Sequence, residues 1–381
     1  MRETRKTRPP AAARRAERIQ MPIIPTVADW IAGTPGTISL GQGVVHYGPP
    51  PAALSKIPAF LADAAHHKYV PDAGIPRLRK TFEEKLRTEN GIDAPGGRRI
   101  FVTAGANQGF LNVLLCLCDP GDEVILLSPY YFNHEMAVGL ADCRAVCVPT
   151  DRNHQPRLAA IEAAITARTR AVVTVSPNNP AGVVYSPDAL REINRLSTAR
   201  GIYHISDEAY EYFTYDGATH FSPGSLDAEQ TISLFSMSKS YGMASWRVGF
   251  LVVPEHLFDD MMKIQDTVVI CAPAVSQAVA LEALSEGRRY CRLRLPALAR
   301  VRELERRRRH ERKPRVRRNR IERLPHVVRL RPGRARQELR RPREIELRQI
   351  GIEQKPDVKR LRHGEPPMPG PLAITEPSWQ K

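Results

Sequence analysis

The sequence predicts an α/β protein built on a mainly parallel, seven-stranded sheet with helices on both faces. Three observations carry that prediction. Seven apolar, β-branched runs recur between residues 99 and 253, and amphipathic helical patterns separate several of them. The segment that holds them is nearly neutral, whereas both ends of the chain are strongly basic.

The runs are "RIFVT" (99–103), "EVILL" (123–127), "AVCV" (145–148), "AVVTV" (171–175), "IYHIS" (202–206), "TISLF" (231–235) and "VGFLVV" (248–253). Continuous rather than alternating apolar residues mark strands buried on both faces, the pattern of parallel sheets. Helical periodicity falls at 107–118, 157–167 and 187–199, and strands alternating with helices define the α/β class. Ligands of such sheets bind at the carboxyl ends of the strands. Those ends are where chemistry is expected.

Charge divides the chain. Of 381 residues, 57 are Lys or Arg and 41 Asp or Glu, a formal net charge of +16. Residues 301–381 hold 25 basic and 11 acidic residues, residues 1–20 hold 7 and 2, and residues 21–300 carry a net charge of −3. By charge, the expected organisation is a basic disordered extension (1–20), a near-neutral globular segment (21–300) and an arginine-rich tail (301–381). The tail contains one aromatic residue, Trp379, and scattered aliphatics. So little apolar surface does not offset the entropy of ordering a chain, and disorder is expected there.

Other classes are disfavoured. Cys116, Cys118, Cys143 and Cys147 form C-x-C and C-x-x-x-C pairs, but each sits in an apolar run without further ligands nearby, so buried thiols are expected rather than a metal site. His66 and His67 have no evident carboxylate or thiolate partner, and no metal is expected there. No apolar run approaches the roughly 20 residues of a membrane span. The basic N-terminus lacks an apolar core, so it is not a secretory signal. A transit peptide and an extension upstream of Met21 both remain open, with cytoplasmic location the expectation.

The strand ends carry a coherent set of groups. After 231–235 comes "SMSKSYGMASWRVGF", with Lys239 three residues after Ser236 and eight before Arg247. A hydroxyl and a guanidinium around a lysine suit a phosphorylated ligand held beside a reactive amine, because the guanidinium fork matches phosphate oxygens and the amine condenses with aldehydes. After 202–206 comes "DEAY", placing Asp207 at a strand end and Tyr210 one turn on. After 171–175 comes "SPNNPAG", presenting Asn178 and Asn179. After 99–103 comes "AGANQGF", a small-residue turn opening a helix whose N–H groups and positive dipole end suit a phosphate.

In this order the motifs resemble the class I/II aminotransferases, pyridoxal-phosphate enzymes of fold type I. The resemblance covers roughly residues 30–300, and implies that residues 21–300 divide into an arm and substrate loop (21–50) and a large ligand-binding domain with the start of an inter-domain helix (51–300). It implies that Lys239 of S-x-S-K carries the cofactor covalently and that Ser236 and Arg247 bind its phosphate, with Ser238 beside them. It implies that Asp207 pairs with the pyridine nitrogen, and that Tyr210 and Asn179 bond the ring's 3′ oxygen. The turn Gly105, Ala106, Asn107 would meet the phosphate, and Tyr131 of "SPYYFNH" would stack on the ring. "HHKYVPDAGIPRLRK" resembles a motif whose tyrosine, here Tyr69, reaches the phosphate of a neighbouring subunit, which implies a homodimer. "ISLGQGVVHYGPPP" resembles the N-terminal substrate loop, with Gly43, like Asn179, near the substrate. It is similar to the L-G-Q-G-F-P-D-F form of kynurenine and glutamine transaminases, but "VVHY" stands in place of "FPDF".

The resemblance implies amino-group transfer from an amino acid to a 2-oxo acid, with Lys239, Asp207 and Tyr210 as catalytic residues. Lys239 would move the α-proton, which requires its amine to fall below the ordinary value of about 10.4. Two alternatives stay open: a lyase of the same fold using the same cofactor, and an inactive scaffold with a basic regulatory or nucleic-acid-binding tail. The tail has no recognition module and almost no aromatics for stacking, so nucleic acid is not the expected partner. Family-like sequence persists through "SQAVALEALSEGRRYCRLRLPALARVREL" along one long helix near 275–305 and then stops. Neither G-x-F-[YF] nor R-x-x-[FY] occurs downstream, so the arginine that clamps the substrate carboxylate in the family is not assigned, despite the many arginines present. A frameshifted C-terminus, a native basic tail and a divergent small domain are the three readings of the arginine-rich stretch.

Overall fold

The computed structural model describes residues 12–37, 43–94, 96–226 and 229–311. Seven strands form one sheet: β1 Arg98–Thr103, β2 Glu123–Ser128, β3 Arg144–Pro149, β4 Thr169–Val175, β5 Tyr203–Asp207, β6 Thr231–Ser236 and β7 Gly249–Pro254. Their order is β1-β7-β6-β5-β4-β2-β3. Pairings among β2 to β6 are all parallel, and β7 runs antiparallel to both of its neighbours. The mainly parallel sheet is therefore present, with one reversed strand inserted near its edge.

Burial on both faces explains the unbroken apolar runs. In β1, Ile100 and Val102 point into a core shared with Phe82 of the helix Pro76–Lys85 and Val279, Ala280 and Ala283 of the helix Ala274–Ser285. The intervening Phe101 points to the other face, with Leu114 of the helix Ala106–Leu117 and Met261 of the helix Phe258–Val269. A third core lies under the helix Pro187–Arg200, where Ile125, Leu127 and Val172 meet Leu190 and Ile193. The first core includes a stacked pair, Phe82 on Phe250, with centroids 3.8 Å apart. Each such fully buried side chain contributes roughly 1.5–3 kcal/mol relative to exposure.

Local signals set the helix ends. Ser186 caps Pro187–Arg200 by accepting the Ala189 N–H at 3.2 Å, Pro187 occupies the first turn, and Gly201 closes the helix at φ +64°. Left-handed backbone of that kind is where glycine carries no Cβ penalty.

Four expectations change. The N-terminal extension is not wholly unstructured: Arg14–Arg18 is helical, Arg15 ion-pairs with Asp142 at 3.0 Å, and Ile19 lies against Gly139. The long helix near 275–305 is three segments, Ala274–Ser285, Gly287–Arg292 and Leu295–Glu311, with Gly287 at φ +59° at the first break. The thiols are not uniformly buried: Cys291 is, Cys147 is exposed, and the other four are intermediate. His66 does have a carboxylate nearby, Asp63, at 3.9 Å. Among the described residues no helix is long and apolar enough to cross a membrane, and no cluster of three His, Cys, Asp or Glu could hold a metal. The disorder, frameshift and folded-domain readings of the tail concern residues that, beyond 311, lie outside those described.

Because β4, β5 and β6 are parallel, Val175, Asp207 and Ser236 all end at one edge of the sheet. The reversed β7 begins at that same edge, with Gly249 opposite Ser236 and Thr103. That end of the sheet therefore collects the carboxyl ends of six strands and the start of β7.

Candidate active site

Ser236 ends β6 and accepts the Ser238 N–H at 3.1 Å, which starts a single helical turn, Met237–Ser240. That turn lifts Lys239 off the strand end. Its half-buried amine donates to the Gly43 carbonyl at 2.6 Å and lies 5.8 Å from the centre of the Tyr210 ring. Burial, and next the Arg247 cation, push the Lys239 amine below its ordinary value. A lysine shifted this way is a better proton acceptor near neutral pH.

Arg247 adopts the left-handed region at φ 53°. Its guanidinium donates to the Ala244 carbonyl at 2.9 Å and the Ala104 carbonyl at 3.2 Å, and reaches Ser238 Oγ at 3.4 Å. It lies across the turn after β1, where a Cβ on Gly105 would sit 2.3 Å from Nη2. Gly105 is thus required twice, by this approach and by its own φ of +85°. The helix Ala106–Leu117 begins beside it, and the first N–H groups of any helix lack intrahelical acceptors. A guanidinium, two serine hydroxyls and a helix N-terminus converge here.

Asp207 closes β5 with only 5% of its surface exposed. Oδ1 accepts the Ala209 N–H at 3.0 Å, and Oδ2 lies 3.1 Å from His134 Nε2. His134, on the helix Phe132–Leu140, is buried against Phe110 at 4.1 Å and edge-on to Tyr131 at 5.2 Å. Its Nδ1 has no hydrogen-bond partner, so the ring's one strong contact is with the carboxylate. Sequence reasoning misses His134. The available signal is its place three residues after Tyr131, which puts both on one helical face; its pairing with Asp207 is a tertiary fact.

Tyr210 accepts the Asn179 Nδ2–H at 3.4 Å. Burial, followed by Asp207 and Tyr131, raises its phenol well above the ordinary value, so it remains protonated at neutral pH. Of the two candidate asparagines only Asn179 faces the site. Asn178 is committed to the turn, donating to the Tyr185 hydroxyl at 3.0 Å and accepting the Ala181 N–H at 2.9 Å.

These groups surround one cavity of about 230 Å³. Its wall includes Ala106, Asn107, Tyr131, Asn179, Asp207, Tyr210, Ser236, Ser238, Lys239 and Arg247, with Val44 from the N-terminal loop. Gly43 and Gly105 lie just behind it, against Lys239 and Arg247. Tyr69 is not brought in: it is 82% exposed and borders a separate surface groove with Phe60, His66, His67 and Cys271. A slightly larger cavity, about 280 Å³, lies under the 211–220 loop, but the carboxylate of Glu211 on its wall is matched by Lys85 at 2.5 Å. No strand-end lysine faces it.

The cavity fits a phosphorylated aromatic aldehyde with a basic ring nitrogen. Gly105 leaves room for the Arg247 guanidinium, which supplies charge for the phosphate, Asp207 presents a buried carboxylate for the nitrogen, and Lys239 supplies the amine. Fold and site together define a pyridoxal-phosphate enzyme of the α/β class.

The comparisons place it further. The family described as "Aminotransferase class I and II" matches residues 35–314. The chain is 34% identical over 300 residues to the Arabidopsis thaliana protein named "Aromatic aminotransferase ISS1", covering 77% of this chain and 75% of that one. It is 39% identical over 220 residues to the Thermus aquaticus "Probable aspartate/prephenate aminotransferase", 57% of each chain. Among solved structures, an aspartate aminotransferase double mutant of Thermus thermophilus superposes with a TM-score of 0.72 at 32% identity, covering 77% of this chain and 79% of that one. The Mycobacterium tuberculosis N-succinyldiaminopimelate aminotransferase superposes at 0.72 and 29%, covering 77% and 78%. The chain belongs to the class I and II aminotransferases, a family that works with pyridoxal phosphate.

Proposed function

We propose that this chain catalyses pyridoxal-phosphate-dependent transfer of an amino group from an amino acid to a 2-oxo acid at the cavity around Lys239. One observation carries the reading: an amine, a buried carboxylate and a guanidinium, borne by three strand ends, line a single cavity. When bound, the cofactor supplies an aldehyde and an electron-accepting ring. The chain's residues do the rest.

Arg247, Ser236, Ser238 and the N-terminal turn Gly105–Ala106–Asn107 hold the phosphate. Asp207, kept in place by His134, keeps the ring nitrogen protonated. Tyr210 and Asn179 orient the ring oxygen, and Tyr131 covers the ring face. Lys239, with its lowered proton affinity, would take the proton from the substrate α-carbon onto its Nζ and pass it to the carbon of the cofactor's aldehyde group. Gly43 and Asn179 flank the substrate carboxylate. Arg247 is the one arginine among the described residues lining the cavity, and with Arg247 given to the phosphate the family's carboxylate-clamping arginine is left unassigned. The exposure of Tyr69 suits a residue that reaches a second copy's phosphate, and the working unit is proposed as a homodimer. The large domain is proposed to span 51–300, with the arm and substrate loop at 21–50.

Lys239→Ala is expected to abolish both transamination and the visible absorbance of lysine-bound cofactor. An unchanged cofactor spectrum in that variant overturns the assignment.

A further inference from the structure

The substrate-side loop departs from the family pattern at "VVHY", and the structure gives one of those departures a task. Tyr47 occupies the place of the last phenylalanine in L-G-Q-G-F-P-D-F, so this chain differs there by one hydroxyl. That hydroxyl lies 3.2 Å from the Ser240 carbonyl and 3.4 Å from the carbonyl of Lys239 itself. Both acceptors belong to the turn that carries the reactive amine.

The surroundings fix the ring from its other sides. Tyr290 meets Tyr47 edge-on at 6.1 Å, Arg294 lies 5.0 Å from the Tyr47 ring centre, and the Tyr290 hydroxyl donates to the Gly48 carbonyl at 2.6 Å. Beneath, Gly242 leaves no room for a side chain: a Cβ there would sit 2.4 Å from the Tyr47 carbonyl oxygen. The loop thus lies flat on the 239–242 turn, and its first residue, Gly43, delivers its carbonyl to the Lys239 amine at 2.6 Å.

We propose that Tyr47 is a positioning residue whose hydroxyl latches the 43–48 loop to the Lys239 turn, keeping the Gly43 carbonyl on the amine and the loop over the substrate face. Burial keeps this hydroxyl protonated across the neutral range, so it remains a donor. Its effect on turnover rests on the aminotransferase reading; the latch itself does not.

Tyr47→Phe restores the family residue and removes only the donor. Two measurements on the full-length protein test the latch. Amide hydrogen exchange should speed up about fivefold in residues 43–48 and stay unchanged in the helix Ala106–Leu117, as expected for loss of one modest hydrogen bond. In the pyridoxal-phosphate-loaded enzyme, KM for the amino-acid donor should rise several-fold with kcat within twofold, a split that general destabilisation does not produce. Wild-type exchange in 43–48 together with a wild-type KM overturns the proposal. If the wild-type protein takes up no pyridoxal phosphate, the aminotransferase reading fails while the exchange result still decides the latch.

Discussion

The carboxyl ends of β4, β5 and β6 and the run from Leu293 to Glu311 are built on opposite terms. At the strand ends polar groups are buried and answer one another: Asp207 is matched by His134 and Asn178 by Tyr185. In the helical run apolar groups stand in solvent, with Leu293 67%, Val301 61% and Leu304 51% exposed. What ties the last helix down is polar and partly exposed, Arg302 to Asp216 at 2.7 Å with the guanidinium 4.4 Å from the centre of the Tyr215 ring. Exposed ion pairs of that kind stabilise by at most about 1 kcal/mol. The contrast teaches that the side chains lining the cavity all lie before residue 254, whereas the surface of the last helix is held lightly.

The largest expected effect falls on the strand ends. Asp207→Ala removes the carboxylate and leaves His134 buried without its partner, so kcat should fall by of order a hundredfold or more while circular dichroism stays native. A rate within threefold of wild type would remove Asp207 from the machinery.

A smaller effect separates the sheet interior from both regions. His204, fully buried in β5 with Nε2 2.8 Å from Thr174 Oγ1, is pushed by burial from 6.5 down to about 3. The fold holds the neutral ring, so its contribution is complete above pH 6.5 and is lost as pH falls toward 3. Urea unfolding across that window should show a loss of roughly a few kcal/mol, and His204→Gln should flatten the slope. An equal slope in both proteins would assign the acid sensitivity to carboxylates.

The smallest effect sharpens the other half of the comparison. Leu304→Lys, on an exposed face, should change the unfolding free energy from urea titration by no more than about 0.5 kcal/mol. A loss beyond 2 kcal/mol would show that Leu304 is covered in the folded protein.

Much of this is legible in the chain because burial on two faces writes itself as uninterrupted apolar runs. "TISLF" and "AVVTV" become β6 and β4 within two residues of the expected ends, and the lysine, carboxylate and asparagine expected at strand ends stand there. Direction is not legible, since an apolar run reads alike in parallel and antiparallel pairings; the reversal of β7 is set by its neighbours. Nor is His134, whose partner lies 73 positions away in sequence, nor the hydroxyl of Tyr47, whose acceptors are backbone atoms 192 and 193 positions away. Cysteine spacing misleads in its own way: nearness along an apolar run does not fix burial, as exposed Cys147 shows.

The reversed β7 has a consequence for assembly. Among the described residues β1 is an edge strand whose sole neighbour in the sheet is β7, the last of the seven to be synthesised. Arg247, just before β7, meets the Ala104 carbonyl across 143 residues of chain. On the ribosome the first strand therefore waits unpaired while five others emerge, and contacts of such long sequence separation form slowly. A ligand that needs both Gly105 and Arg247 binds only a chain whose sheet has already closed, and its capture reports that final step.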